Sequence, residues 1–110
     1  MIPRVRLREA LSDPNLLGTA IACESWRSWR TLLIAAMGEA LREDERPTFR
    51  ALTGRDREPL QRVDQFAAVV GRRGGKSRAM ATLATYIAGL CDHSDALVPG
   101  ERGVFACTAR

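Results

Sequence analysis

The stretch VVGRRGGKSRAM, Val69 to Met80, decides how the rest of the chain is read. A phosphate-binding loop is written G-x-x-x-x-G-K-[ST]: a strand delivers the chain to a wide turn whose backbone N–H groups point inward, and the following helix adds the positive end of its dipole. Gly74-Gly75-Lys76-Ser77 supplies the second half of that pattern, but the residue five before Gly75 is Val70, and Gly71 comes one place late. Two readings stay open at this point: a nucleotide site with a changed first half, or a glycine-rich turn that carries surface arginines.

The flanks have the order the chemistry requires. Gln65 to Gly71 contains an apolar run, FAAVV, of strand length that enters the loop without a break. After Lys76, the residues Met80, Leu83, Ala84, Ile87 and Cys91 recur at helical spacing, which predicts a helix over Ser77 to Leu90 with one buried face. Asp92 to Gly103 is rich in loop formers, and Val104 to Ala109 reads as a second apolar strand. Strand, loop, helix, loop, strand is a βαβ unit with parallel strands and a right-handed crossover. A parallel sheet needs cover on both faces and further strands. With Arg110 following directly, the sequence is expected to be cut off. In such a loop Lys76 reaches the β- and γ-phosphates and Ser77 holds a magnesium ion.

Upstream the signals are helical. Arg4 to Leu11 predicts a short basic helix, expected to be loosely held, closed by Ser12-Asp13-Pro14-Asn15. Ser25 is placed to cap a helix from Trp26 to about Met37, with Trp26, Trp29, Leu32, Leu33, Ala36 and Met37 on one face and Gly38 to stop it. Glu43, Asp44 and Glu45 suit the positive start of a third helix, with Pro47 in its first turn, Phe49 and Leu52 on its apolar edge and Gly54 at its end. Gly54 to Pro59 is the loop beyond it. The fold class is therefore α/β: a helical N-terminal region over 1–58, then 59–110 as the start of a P-loop ATPase domain, the first βαβ unit of a P-loop NTPase parallel sheet.

Composition sets limits on the alternatives. The chain has 110 residues, 45% hydrophobic and 27% charged, which is ordinary for one globular domain. Its net charge of +4 comes chiefly from arginines interleaved with acidic residues, the pattern of a solvated mixed-charge surface rather than a dedicated DNA-binding face. The exception is Arg72, Arg73, Lys76 and Arg78, with no acidic residue from Gln65 to Cys91, and Lys76 is the only lysine in the chain. Such a cluster calls for an anion. Cys23, Cys91 and Cys107 have neither zinc-ligand spacing nor an even count, so small buried thiols in a reducing cytosol are expected. Nothing has the length of a signal peptide or of a membrane span. His93, the only histidine, follows a helix end in a polar loop and receives no function.

Gly71-Arg72-Arg73-Gly74-Gly75-Lys76-Ser77 closely resembles the altered Walker A loop of the terminase large subunit of tailed bacteriophages, which commonly reads small residue, Arg, two variable residues, then Gly-Lys-Ser/Thr. At lower specificity, SWRSWRTLLIAAMG, ALTGR and PLQRV are similar to the helical lead-in of a group of phage and prophage terminases, so that the resemblance spans most of Trp26 to Ala109. It implies the N-terminal ATPase of a DNA-packaging motor, with ATP and Mg as cofactors. The partners it implies are double-stranded DNA, a portal protein and a terminase small subunit, in a homo-oligomer in the bacterial host cytoplasm, with a nuclease domain in the full-length protein. Arg72 matches the loop arginine that acts in cis on the γ-phosphate, where its planar fork can donate two hydrogen bonds. Arg73 falls at a variable position, as electrostatic support or plain surface. Trp26 and Trp29 are either core or adenine neighbours, and Gln61 or Gln65 is a possible adenine contact.

Hydrolysis in this class also needs an acidic residue at the end of a later strand and a glutamate that activates water. Neither is found here, so these 110 residues are expected to bind nucleotide weakly, without turnover or DNA cleavage. Two other readings remain: a fragment of another P-loop ATPase, helicase-like or partition-type, and a small arginine-rich adaptor whose nucleic-acid binding depends on salt and not on ATP.

Overall fold

A computed structural model describes residues 1–71, 75–95, 97 and 99–100. Its elements are β1 (Ile2–Pro3), α1 (Leu7–Ser12), a short 3-10 turn (Glu24–Trp26), α2 (Arg27–Ala36), α3 (Arg46–Thr53), α4 (Lys76–Gly89) and β2 (Cys91–Asp92). The two strands pair antiparallel, Ile2 opposite Asp92 and Pro3 opposite Cys91, and form the only sheet among the described residues. The Arg4 N–H extends the pairing to the Leu90 carbonyl (2.9 Å), and the Met1 ammonium meets Asp95 at 2.6 Å.

α1 is more firmly held than its sequence suggests. Leu7, Ala10 and Leu11 are buried together at the centre of the core, because their spacing places them on one side of the helix. The helix start is satisfied from a distance: the Glu39 carboxylate accepts the N–H groups of Leu7 (2.6 Å) and Arg8 (3.1 Å). The Arg8 guanidinium reaches the Glu45 carboxylate (2.6 Å) and the Ala40 carbonyl (2.9 Å), fastening α1 to the approach of α3.

α2 begins one residue later than its apolar face, after the 3-10 turn that contains Trp26. Ser25 lies inside the 3-10 turn, and no side chain caps either the turn or the helix. Thr31, Leu33, Ile34, Ala35 and Ala36 are buried. The helix ends at Gly38, where φ is +75° and where a side chain would meet the backbone of Gln61 and Arg62 at 2.4–2.5 Å. The missing side chain lets the chain return across this end, and the Val63 N–H donates to the Ala36 carbonyl (2.9 Å). α3 carries Pro47 in its first turn, buries Phe49 and stops at Gly54, as its sequence indicates, while Leu52 faces outward.

α4 forms where expected, but a different side of it is buried. Ala79, Thr82 and Tyr86 are the fully covered positions, Leu83 and Ile87 pack at the margin, and Met80 is exposed. Buried hydroxyls explain the rotation: Thr82 Oγ1 donates to the Arg78 carbonyl (2.8 Å), and Tyr86 Oη donates to the Val5 carbonyl (2.6 Å). Satisfied in this way, both residues can be covered as an apolar side chain would be.

Residues 65–71 carry no strand hydrogen bonds, and Ala67, Ala68 and Val69 face outward. A strand needs a neighbour, and the described residues offer this segment none. The expected partner, Val104 to Ala109, lies outside the described residues. No helix among the described residues is long and apolar enough to cross a membrane.

Candidate phosphate-binding loop

Gly75 is the residue from which α4 starts, with φ +80° and ψ 13°, a left-handed conformation that glycine adopts at no steric cost. Directly after it, Lys76, Ser77 and Arg78 occupy the first turn of α4, and all three are exposed. The first turn holds no acidic residue, and Lys76 has no ion-pair partner among the described residues. Arg72, Arg73 and Gly74 lie outside the described residues, while Gly71 is exposed with open space around it.

This turn is electrostatically unfavourable by itself. The first N–H groups of a helix and its dipole favour an anion, and each cation placed there costs about 0.3–1 kcal/mol. α4 instead presents Lys76 and Arg78 at that end with no acidic residue in its first turn. A bound anion such as a phosphate group would relieve this conflict between local rule and sequence. Ser77, in the same turn, has the hydroxyl chemistry required of a magnesium ligand.

Both tryptophans lie behind the loop. A side-chain carbon built on Gly75 would stand 2.5 Å from Cη2 and Cζ3 of Trp26 and 3.5 Å from Nε1 of Trp29. The Arg78 guanidinium carbon lies 5.8 Å from the centroid of the Trp26 ring, within cation–π range. The two indoles also pack against the margin of the core. One edge and one face of Trp26 are therefore in use by the loop and by α4, which favours the packing role for this residue over stacking on a base.

The structure separates the two glutamines. Gln65 lines a cavity of about 320 Å³ between α2, α3 and the returning chain, with Leu32, Phe49, Val63 and Phe66 around it. Gln61 contributes backbone to the crossing at Gly38 and does not line that cavity. His93 is half-buried and hydrogen-bonds through Nε2 to the Ile87 carbonyl (2.7 Å), closing the last turn of α4. Cys91 is buried, and burial pushes its thiol up from the usual value, whereas Cys23 is exposed, contrary to the expectation of buried thiols. Cys107 lies outside the described residues. No group of three or more potential metal-ligating His, Cys, Asp or Glu side chains occurs among the described residues.

Of the residues singled out from the sequence, Gly75, Lys76 and Ser77 stand together at the start of α4, while the contact of Arg78 with the Trp26 ring is not anticipated by it. Comparison with protein-family models, with curated proteins and with solved structures returns no match for this chain.

Proposed function

We propose that this chain is the N-terminal part of the ATPase motor of a phage or prophage terminase large subunit, binding ATP and magnesium to power the packaging of double-stranded DNA into procapsids. The observation that supports the reading best is the start of α4: a left-handed Gly75, followed by exposed Lys76 and Ser77 at the positive end of a helix whose first turn holds no acidic residue. The resemblance of Gly71 to Ser77 to the terminase loop selects this motor among P-loop ATPases. Lys76 would hold the β- and γ-phosphates, Ser77 the magnesium, and Gly71, Gly74 and Gly75 would let the backbone approach, with Arg72 donating to the γ-phosphate and Arg73 adding positive charge. When bound, magnesium supplies neutralisation of the phosphate oxygens. The portal protein, the small subunit, a homo-oligomeric assembly and residence in the host cytoplasm follow from the same reading.

Equilibrium dialysis with radiolabelled ATP tests it. Wild-type protein should bind ATP in a magnesium-dependent way, and Lys76→Ala should weaken binding at least tenfold, the equivalent of ~1.4 kcal/mol. ATP binding that is indifferent to Lys76, or DNA binding that is steeply salt-dependent and unaffected by ATP, would favour the arginine-rich adaptor instead.

A further inference from the structure

Trp26 stands where the 3-10 turn passes into α2, far in sequence from the loop it touches. Its ring is fixed from several sides. It packs against the core margin, and its neighbour Arg27 bonds to the Asp44 carbonyl (2.8 Å) and reaches Glu24 (3.3 Å), which holds this end of α2 to the chain before α3. Against that fixed ring lie two residues that bracket Lys76 and Ser77. Gly75 precedes them, and a side-chain carbon built on it would stand 2.5 Å from Cη2 and Cζ3, so that any other residue there would have to displace the ring. Arg78 follows them, its guanidinium 5.8 Å from the ring centroid. An arginine at this position is opposed by the helix dipole, and the indole face offsets that cost by about 0.5–1 kcal/mol or more.

We infer that Trp26 is a positioning residue for the phosphate loop: one indole holds Gly75 in its left-handed turn and Arg78 beside it, so that Lys76 and Ser77 leave α4 in a fixed direction. The inference rests on the nucleotide reading above and adds that the helical N-terminal region is a structural part of the phosphate site. It assigns Trp26 to the phosphates and not to the base, which gives it a distinct signature. A ring that stacks on adenine matters for ATP and not for a bare polyphosphate. A ring that seats the loop matters equally for both.

The experiment measures binding of Mg-ATP and of Mg-tripolyphosphate by calorimetry to wild type, Trp26→Leu, Trp26→Phe, Gly75→Ala and the double variant Trp26→Leu/Gly75→Ala, with helicity and melting followed by circular dichroism. Trp26→Leu should weaken both ligands by the same factor, about tenfold or ~1.4 kcal/mol. Trp26→Phe keeps an aromatic ring on the core but lacks the Cζ3–Cη2 edge, so it should fold and still bind both ligands more weakly, which covers the case in which the leucine variant unfolds. Gly75→Ala should lose binding as well. The double variant should lose less than the product of the two single effects, because the clash that alanine meets is with the ring that leucine removes. Weakening confined to ATP, or unchanged binding of both ligands in a folded Trp26 variant, overturns the inference and leaves the nucleotide site standing. Wild-type protein that binds neither ligand overturns the nucleotide reading, and this inference with it.

Discussion

Replacing Tyr86 by phenylalanine removes one oxygen from the middle of the molecule and leaves the ring in place. That oxygen is a side-chain link between α4, which carries the loop, and the N-terminal segment: Tyr86 is fully buried, and its hydroxyl donates to the Val5 carbonyl at 2.6 Å. No cavity of ring size opens, so the cost is that of a hydrogen bond plus a half-buried carbonyl left without its donor, about 1–2 kcal/mol. With a urea m-value of about 1–2 kcal/mol/M for a chain of this size, the midpoint should fall by about 1 M with the slope unchanged. Burial, then the charges of Cys91 and Glu39, push the phenol well above its ordinary value. The sign follows directly. Below about pH 10 the phenol is neutral in both states; above it the unfolded chain ionises while the folded chain resists, so stability is lost as pH rises. Because the chain has a single tyrosine, absorbance of the phenolate reports this residue alone. Its appearance should coincide with loss of helix by circular dichroism. A midpoint shift below about 0.2 M urea, or a phenol that titrates near pH 10 in protein that stays folded, would refute the placement of Tyr86 against Val5.

Glu39→Ala should destabilise the fold by about 1–2 kcal/mol through the uncapped start of α1, with faster amide exchange at Leu7 and Arg8 as the local reporter. For Glu45, burial alone would push the carboxyl up, but hydrogen bonds from Arg8 and from the backbone N–H of Arg42 outweigh it and hold it below the usual range. A carboxylate held low stabilises above about pH 4.3 and loses that contribution as pH falls through its folded value. Denaturant titrations from pH 6 to pH 3 should therefore show a flatter acid limb for Glu45→Gln than for wild type.

Much of the helical framework is legible in the sequence because its signals are local. Gly38 and Gly54 end their helices, Pro47 sits in a first turn, and Gly75-Lys76-Ser77 opens α4, each for a reason contained within a few residues. What escapes is what depends on distant partners. β1 is too short to carry a periodicity, and its pairing with β2 joins opposite ends of the described chain. Glu39 caps a helix that lies far before it in sequence, so nothing around Leu7 announces that α1 will be firm. On α4 a hydropathy pattern ranks Met80 and Ile87 above Thr82 and Tyr86, and only the hydrogen bonds of the two hydroxyls reverse that ranking. At the candidate site the sequence names the residues that would face the phosphates. The contact of Trp26 with Gly75 joins residues far apart in the sequence and has no signature of its own.

The open run from Phe66 to Val70 also has a consequence for contacts between molecules. It contains no charge, its backbone has no hydrogen-bonded neighbour among the described residues, and Val69 is wholly exposed. Two molecules that meet in solution each present the same unfilled row of amides and methyl groups, the geometry from which sheets grow between chains. Self-association at high protein concentration is therefore expected to start from these five apolar residues upstream of the loop, and their exposure bears on the concentrations at which ligand binding can be measured.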